Sequence, residues 1–318
     1  LLENTAREVA GSGGWAAVKT PQLHAMVRKY IDLYIRDEIP GYEEKSARFR
    51  YLFGRLRTTA EDIVDRMAEE LAESDFKPVA FELGFGGRDG ALPAITIQEG
   101  DATLSVSGKV DRVDGWLHDG KLYLRVVDYE TGRKSFDLSD VRYGLGIQML
   151  LYLFTLEKEG QSCFGYPIVP AGVLYHPARD LILKTERDIS PEPLRKAMDR
   201  ELRRDGMVLG DPEVLRAMEH SALEAPCFLP IQVSKDGGIS GGVATAAQLG
   251  RLGQYVEKLL HQITRELRQG NIDADPCWRG AQEGQADDRL RPLKRVKPDE
   301  FWEFVAHETG EEGRHGEL

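Results

Sequence analysis

The segment LRVVDYETGRKSFDLSDVRYGLGIQMLLYL, residues 124–153, ends a run of strand-forming residues in two acids, Asp128 and Glu130. Alternate residues of a strand share a face, so both carboxylates point the same way, with Leu122, Leu124 and Val126 behind them. The preceding strand-like run GKVDRVDGWL carries Asp111, and the short GWLHDGK turn joins the two runs. Sixteen residues lie between Asp111 and Asp128. That length suits a hairpin with arms of about six or seven residues, and antiparallel pairing then brings the two carboxylates near each other. Converging carboxylates do not all stay ionised unless a cation shares their charge. Oxygen-rich sites of this kind suit Mg2+ or Mn2+, and such an ion activates a water and stabilises charge on a phosphate in transfer. The alternative is a set of polar strand ends facing solvent. Asp114 reads as a decoy, because the adjacent turn accounts for an Asp there.

The elements that must position these acids follow from periodicity. Residues 78–86, 91–98, 102–117 and 121–130 alternate as strands between Gly/Asp turns, as in an antiparallel meander. A helix over 140–159 is apolar nearly all round and should be buried. It carries Gln148 and Tyr152 on one face. Two hydrogen-bonding groups there need partners, which would be DNA, a metal ligand to orient, or, for Tyr152, a satisfied core hydroxyl. Helical spacing predicts further helices over 21–39, 43–74, 191–222, 245–269 and 298–306, one more strand over 171–177, and a loop over 234–242. Arg48, Arg50, Arg55 and Arg57 read as a solvated helix face. The tail from residue 307 reads as disordered. The order suggests an α/β core with helical elaborations.

Composition bounds the rest. The 318 residues are 41% hydrophobic, enough for a sizeable core. There is no run of eighteen apolar residues, and the start lacks a signal-peptide plan and an initiator Met, so the chain reads as a soluble piece of a longer protein with no membrane partner. Cys163, Cys227 and Cys277 form no CxxC, which speaks for a reducing compartment. The net charge of -11 disfavours a whole-surface nucleic-acid binder, but not a nuclease that concentrates carboxylates at its site.

GKVDRVD, LRVVDYETG, VRYGLGIQMLLYL and PAGVLYHP, in that order, resemble the AddB-type nuclease domain of the RecB-like branch of PD-(D/E)XK nucleases. The likeness continues through SARFRYLFGRL, FKPVAFELGFGG, GNIDADP and RPLKRVKPDEFWEF, so it covers residues 40–305. It implies a PD-(D/E)XK α/β core, a mixed sheet flanked by helices, over 77–270, after a helical lead-in over 1–76 and before a C-terminal segment over 271–318. It implies a bacterial cytoplasmic exodeoxyribonuclease of double-strand-break repair and recombination, fed single-stranded DNA by an AddA-like helicase. Asp111 and Asp128 would be metal ligands for Mg2+ or Mn2+, and Gln148 and Tyr152 would match the QxxxY element that positions DNA.

The chain departs from the family pattern at Glu130, where the family carries a Lys. Glu130 would add a metal ligand or act as base, or else the site has lapsed. Lys134 and Arg133 follow closely in sequence and could substitute for that Lys from the turn, but the turn is expected to carry them off the strand face. The family's 4Fe–4S cluster is not expected, because Cys277 stands alone in DADPCWRGAQEGQADDRLRPL and such clusters need thiolate ligands. The family's upstream His motif falls at or before Leu1. His24 and His176 read as packing residues, and Glu82 as a weaker candidate for the site's edge. Two rivals follow: a pseudonuclease that serves as a structural and DNA-binding module, and an unrelated acidic α/β binding protein, in which Asp111 and Asp128 would not meet.

Overall fold

A computed structural model of the chain describes residues 1–87, 90–132, 134–179, 190–273, 277–278 and 291–310. Three helices lead: α1 (Leu2–Gly11), α2 (Thr20–Glu38) and α3 (Ala47–Ala72). The strands β1 (Lys77–Phe85), β2 (Ile95–Glu99), β3 (Ala102–Val106), β4 (Gly108–His118) and β5 (Lys121–Glu130) follow. Then come α4 (Leu138–Arg142), α5 (Gln148–Phe164), β6 (Ile168–Pro177), α6 (Pro191–Leu202), β7 (Asp205–Leu209) and α7 (Pro212–Met218). The chain continues through β8 (Ile231–Val233), β9 (Ile239–Gly241), β10 (Val243–Ala244), α8 (Ala246–Arg268) and α9 (Pro298–Glu308).

The main sheet has the order β1-β4-β5-β6-β7-β10 and is mixed: β5 pairs with β6 in parallel and with β4 antiparallel. The parallel step needs a crossover, and α4 and α5 supply it. One core packs α5 and α8 against the sheet through Leu150, Leu153, Leu124, Val126, Leu249 and Leu252. A second core lies among the lead-in helices, through Leu23, Val27, Val64, Met67 and Leu71. His24 is a packing residue there, bridging α2 to α3 through Asp65 at 2.8 Å.

The expected meander is corrected in its pairing. β1 pairs with β4, while β2 and β3 form a separate hairpin. The run 102–117 is therefore two strands broken at Ser107, and the hairpin is looped out of the sheet. The helix expected over 140–159 breaks into α4 and α5, because Gly144 and Gly146 take left-handed φ values of 75° and 64° that other residues seldom adopt. The helix expected over 191–222 contains β7, whose DGMVL lies against β6. Its register is tight: a Cβ at Gly206 would meet the Val173 carbonyl oxygen. The loop over 234–242 includes β9, paired with β8. Most of the residue 271–290 stretch, Arg133 and residues 311–318 lie outside the described residues, and with them the cluster region and most of the tail.

The arginines at the start of α3 lie on an outward face beside exposed Tyr51, Leu52 and Leu56. Arg57 pairs with Asp32 and Arg50 with Glu43. Among the described residues no helix is long and apolar enough to cross a membrane.

Candidate active site

The β4–β5 hairpin sets the register of the site. Its turn is Asp119–Gly120, and both residues have positive φ, 49° and 72°. This is the Asp-Gly turn whose twist matches that of paired strands. His118 therefore faces Lys121, and the ladder runs back to Arg112 opposite Val127. Continued by one pair, it sets Asp111 opposite Asp128, where opposed Cβ atoms lie about 5 Å apart. Asp111 Oδ2 accepts a hydrogen bond from the Tyr129 backbone N–H at 3.1 Å, which ties the end of β4 to the end of β5. Asp128 in turn pairs across to Tyr175 on β6.

Glu130, at the last position of β5, shares the Asp128 face. The next cation along the chain does not leave that face. Lys134 Nζ lies 2.7 Å from Glu130 Oε1 and 3.7 Å from Asp128 Oδ2. It also stands over the Tyr175 ring, 4.6 Å from its centre. This corrects the expectation that the turn removes Lys134: its ammonium stands with the acids at the end of β5.

These charges perturb one another. Burial, a hydrogen bond shared with Glu130 and the charge of Asp111 push the Asp128 carboxyl up to about 7, against the pull of Lys134. Burial alone would raise Glu130 too, but its hydrogen bonds to Lys134 and Asp128 hold it below the ordinary value. Burial opposes charge on Lys134, yet its bond to Glu130 raises it, so it stays protonated. A half-buried carboxyl pushed up to about 7 beside the acids Asp111 and Glu130 marks a place where a further positive charge is favoured.

Gln148 opens α5 and donates from Nε2 to the Tyr152 hydroxyl at 2.8 Å. The Tyr152 ring packs edge-to-face on Phe85, centres 5.3 Å apart. Gly108 leaves room for both rings, since a Cβ there would lie 2.7 Å from Phe85 and 3.2 Å from Tyr152. The break at Gly144 and Gly146 places Gln148 at the first turn of α5 rather than mid-helix. A cavity of about 470 Å3 lies between these elements, lined by Phe85, Ser107, Lys134, Gln148, Tyr152 and Tyr175 among others. Glu82 falls opposite Asp111 by the β1–β4 register. It has a φ of 49°, unusual for a residue with a side chain. Its carboxylate pairs with Lys109 at 3.0 Å, at the rim of the same face.

The other face of the same strand ends carries a buried charge cluster that sequence reasoning missed. Glu70 of α3 meets Arg125 at 3.1 Å, Arg112 at 3.9 Å, and Arg204 in a short contact. Asp114 bridges Arg112 and Arg125, each at 2.9 Å. Asp114 is thus a fully buried ion-pair residue in mid-strand, not a turn residue. His176 is 1% exposed beside this cluster and is held neutral, by burial first and then by the charge of Arg204. The available signal was the alternation Arg112, Asp114 and Arg125, Val127, Tyr129 on a face that otherwise reads as apolar.

The comparison with known families bears on this arrangement directly. Residues 13–281 match the PD-(D/E)XK nuclease superfamily. The chain belongs to that superfamily. Curated relatives are named as a subunit of ATP-dependent helicase/deoxyribonuclease. That of Acetivibrio thermocellus is 33% identical over 98% of this chain and 29% of its own length. That of Clostridium tetani is 29% identical over 87% and 24%. That of Caldanaerobacter subterraneus subsp. tengcongensis is 33% identical over 76% and 21%. The chain spans less than a third of the length of these relatives. The expectations of an α/β PD-(D/E)XK core and of the AddB-type resemblance hold, and the unrelated binding protein is set aside.

Members of this superfamily work with divalent metal ions, and the donor set here fits one. Asp111, Asp128 and Glu130 offer hard oxygen donors only, at an open strand end. Among the described residues no group of three or more His, Cys, Asp or Glu is gathered closely enough to hold a metal ion, so the protein would supply fewer than three ligands as the side chains stand. An open set of one or two carboxylates, completed by waters and substrate phosphate, is how Mg2+ is commonly held.

Proposed function

We propose that this chain is the nuclease domain of an AddB-like protein and hydrolyses DNA phosphodiesters with Mg2+ or Mn2+. What supports the reading is the β4–β5 register that, continued by one pair beyond Arg112–Val127, brings Asp111 to Asp128, with Glu130 two residues on and Gln148 and Tyr152 lining the cavity that Lys134 and Tyr175 also line. Asp111, Asp128 and Glu130 would hold the ion. Bound there, it supplies Lewis-acid stabilisation of phosphate charge and a more acidic water. Glu130 would either add a ligand to the ion or, held ionised by its bonds to Lys134 and Asp128, accept a proton from the attacking water. Gln148 and Tyr152 hydrogen-bond each other and line the cavity, and their remaining donor and acceptor capacity would position a strand there. The Tyr129–Asp111 bond holds the first carboxylate in place. In the whole protein, single strands would come from an AddA-like helicase partner in a bacterial cytoplasm, without an iron–sulfur cluster in this chain.

The test is degradation of labelled single-stranded DNA with Mg2+ or Mn2+, beside Asp111→Ala and Asp128→Ala, with Mn2+ binding followed calorimetrically. The expected result is metal-dependent cleavage that either substitution lowers by at least about a hundredfold. Mn2+ that binds without any cleavage would favour the pseudonuclease that Glu130 suggests. Mn2+ that does not bind would remove the reading.

A further inference from the structure

We propose that Lys134 is a catalytic residue of this site, delivering to the scissile phosphate, from the turn after β5, the positive charge that strand position 130 does not supply. The inference rests on the nuclease reading. A phosphodiester under attack gains negative charge, and here it would do so beside three carboxylates, which a cation must offset. Glu130 adds to the negative charge. Among the described residues, Lys134 is the cation recorded in contact with both Asp128 and Glu130.

An exposed Lys–Glu pair four residues apart is common and by itself means little. Three features set this one apart. Nζ reaches a second carboxylate, Asp128, which pairs across to Tyr175 in the sheet. The Lys134 ammonium stands over the Tyr175 ring, whose face favours a cation, and Tyr175 is itself only 3% exposed. Finally, Lys134 stands between two cavities. One is the 470 Å3 cleft that Gln148 and Tyr152 line. The other, of about 250 Å3, is lined by Glu130, Tyr175, Arg179, Arg203 and Asp205 among others. Nζ is therefore placed where a phosphate crossing the strand ends would meet it.

In the step, the water oxygen bonds to phosphorus as the bond from phosphorus to the leaving sugar oxygen breaks. One water proton passes to Glu130, and the leaving oxygen takes a proton from solvent. The products are a hydroxyl and a phosphomonoester. Lys134 keeps its protons throughout. Its ammonium turns from Glu130 to a non-bridging phosphate oxygen and gives it a charged hydrogen bond.

The experiment compares the full chain with Lys134→Ala, Lys134→Arg, Lys134→Gln and the relocated pair Glu130→Lys/Lys134→Gln, on single-stranded DNA with Mn2+. Lys134→Ala and Lys134→Gln should lower kcat by about 10²–10³, with KM changed far less and Mn2+ still bound. Lys134→Arg should keep part of the rate. The relocated pair, which returns a lysine to strand position 130 at the expense of Glu130, reports only whether the scaffold can still cleave; part of the rate kept by Lys134→Arg, with Lys134→Gln melting close to the parent, is what a surface ion pair with a merely structural role would not produce. A Lys134→Ala rate within threefold of the parent, while Asp128→Ala is dead, overturns the proposal and leaves the nuclease reading intact. A chain that binds Mn2+ but cleaves with neither placement of the lysine overturns both.

Discussion

Replacing Glu70 by Ala removes one of the two carboxylates that balance the charges behind the site. Arg112, Arg125 and Arg204 then share Asp114 alone, and Asp114 touches only the first two. Arg204, 3% exposed, keeps the Leu202 carbonyl but loses its carboxylate. Breaking a buried ion pair by removing one partner costs about 3–5 kcal/mol. For a domain of this size each kcal/mol moves the melting temperature by about 2 °C, so the expected loss is about 6–10 °C. Calorimetric melting at pH 7.5 measures it, with Lys196→Ala, which breaks an exposed pair, as a control that shifts stability by less than about 0.5 kcal/mol. The acid limb gives a second reading. Burial would raise the Glu70 pKa, but Arg204, Arg125 and Arg112 hold it well below the usual carboxylate range. A depressed pKa contributes stability above the unfolded value of 4.5 that is lost as pH falls below it. Glu70→Gln should therefore differ most from the parent near neutrality, and the gap should narrow on acidification. Cleavage should fall too, because Asp111 and Arg112, Asp128 and Tyr129, and Tyr175 and His176 are back-to-back neighbours. A Glu70→Ala loss under about 1 kcal/mol, or a Glu70→Gln gap unchanged between pH 7.5 and pH 3, would refute the reasoning.

Two further outcomes are expected. The raised carboxyl of Asp128, at about 7, favours the metal-free fold at low pH, an effect lost as pH rises through that value. Ion binding must displace the proton, so Mn2+ affinity should climb about tenfold per pH unit below 7 and level off above it; calorimetry in buffers of different ionisation enthalpy reads the released proton, and a flat profile from pH 5.5 to 8 would be the wrong result. Gly108→Ala drives a methyl into the Phe85 and Tyr152 rings, at a cost of about 1–3 kcal/mol, and should lower cleavage while leaving Mn2+ affinity near that of the parent, since Asp111 and Asp128 are untouched; equal cleavage would show that Tyr152 placement is unimportant.

What was legible in the sequence was what local pattern controls. The alternation through Val126 and Asp128, and the Asp119–Gly120 turn, suffice to set two strands and the face they share. Three things were not local. The β2–β3 hairpin is looped out, so β1 finds β4, and that pairing depends on the sheet and not on chain order. DGMVL at β7 is a short strand between helices, and it declares itself only when Gly206 meets β6. The return of Lys134 depends on a turn conformation that no periodicity encodes, although the side-chain length needed to exploit it is plain in the sequence.

The two faces of β4, β5 and β6 have opposite electrostatic designs. Behind the sheet, Glu70 and Asp114 face three arginines in a buried cluster, and those charges hold Glu70 well below the usual carboxylate range. In front, among the described residues, Asp128 and Glu130 are met by the Lys134 ammonium, and burial and its neighbours push the Asp128 carboxyl up to about 7. The first arrangement is buried out of a ligand's reach. The second is short of positive charge at the strand ends that the first makes rigid. A rigid, cation-poor cluster beside a cleft is a favourable place to receive a metal ion and a phosphate together. The same strand residues, read in alternate order, thus serve the frame and the chemistry without competing for side chains.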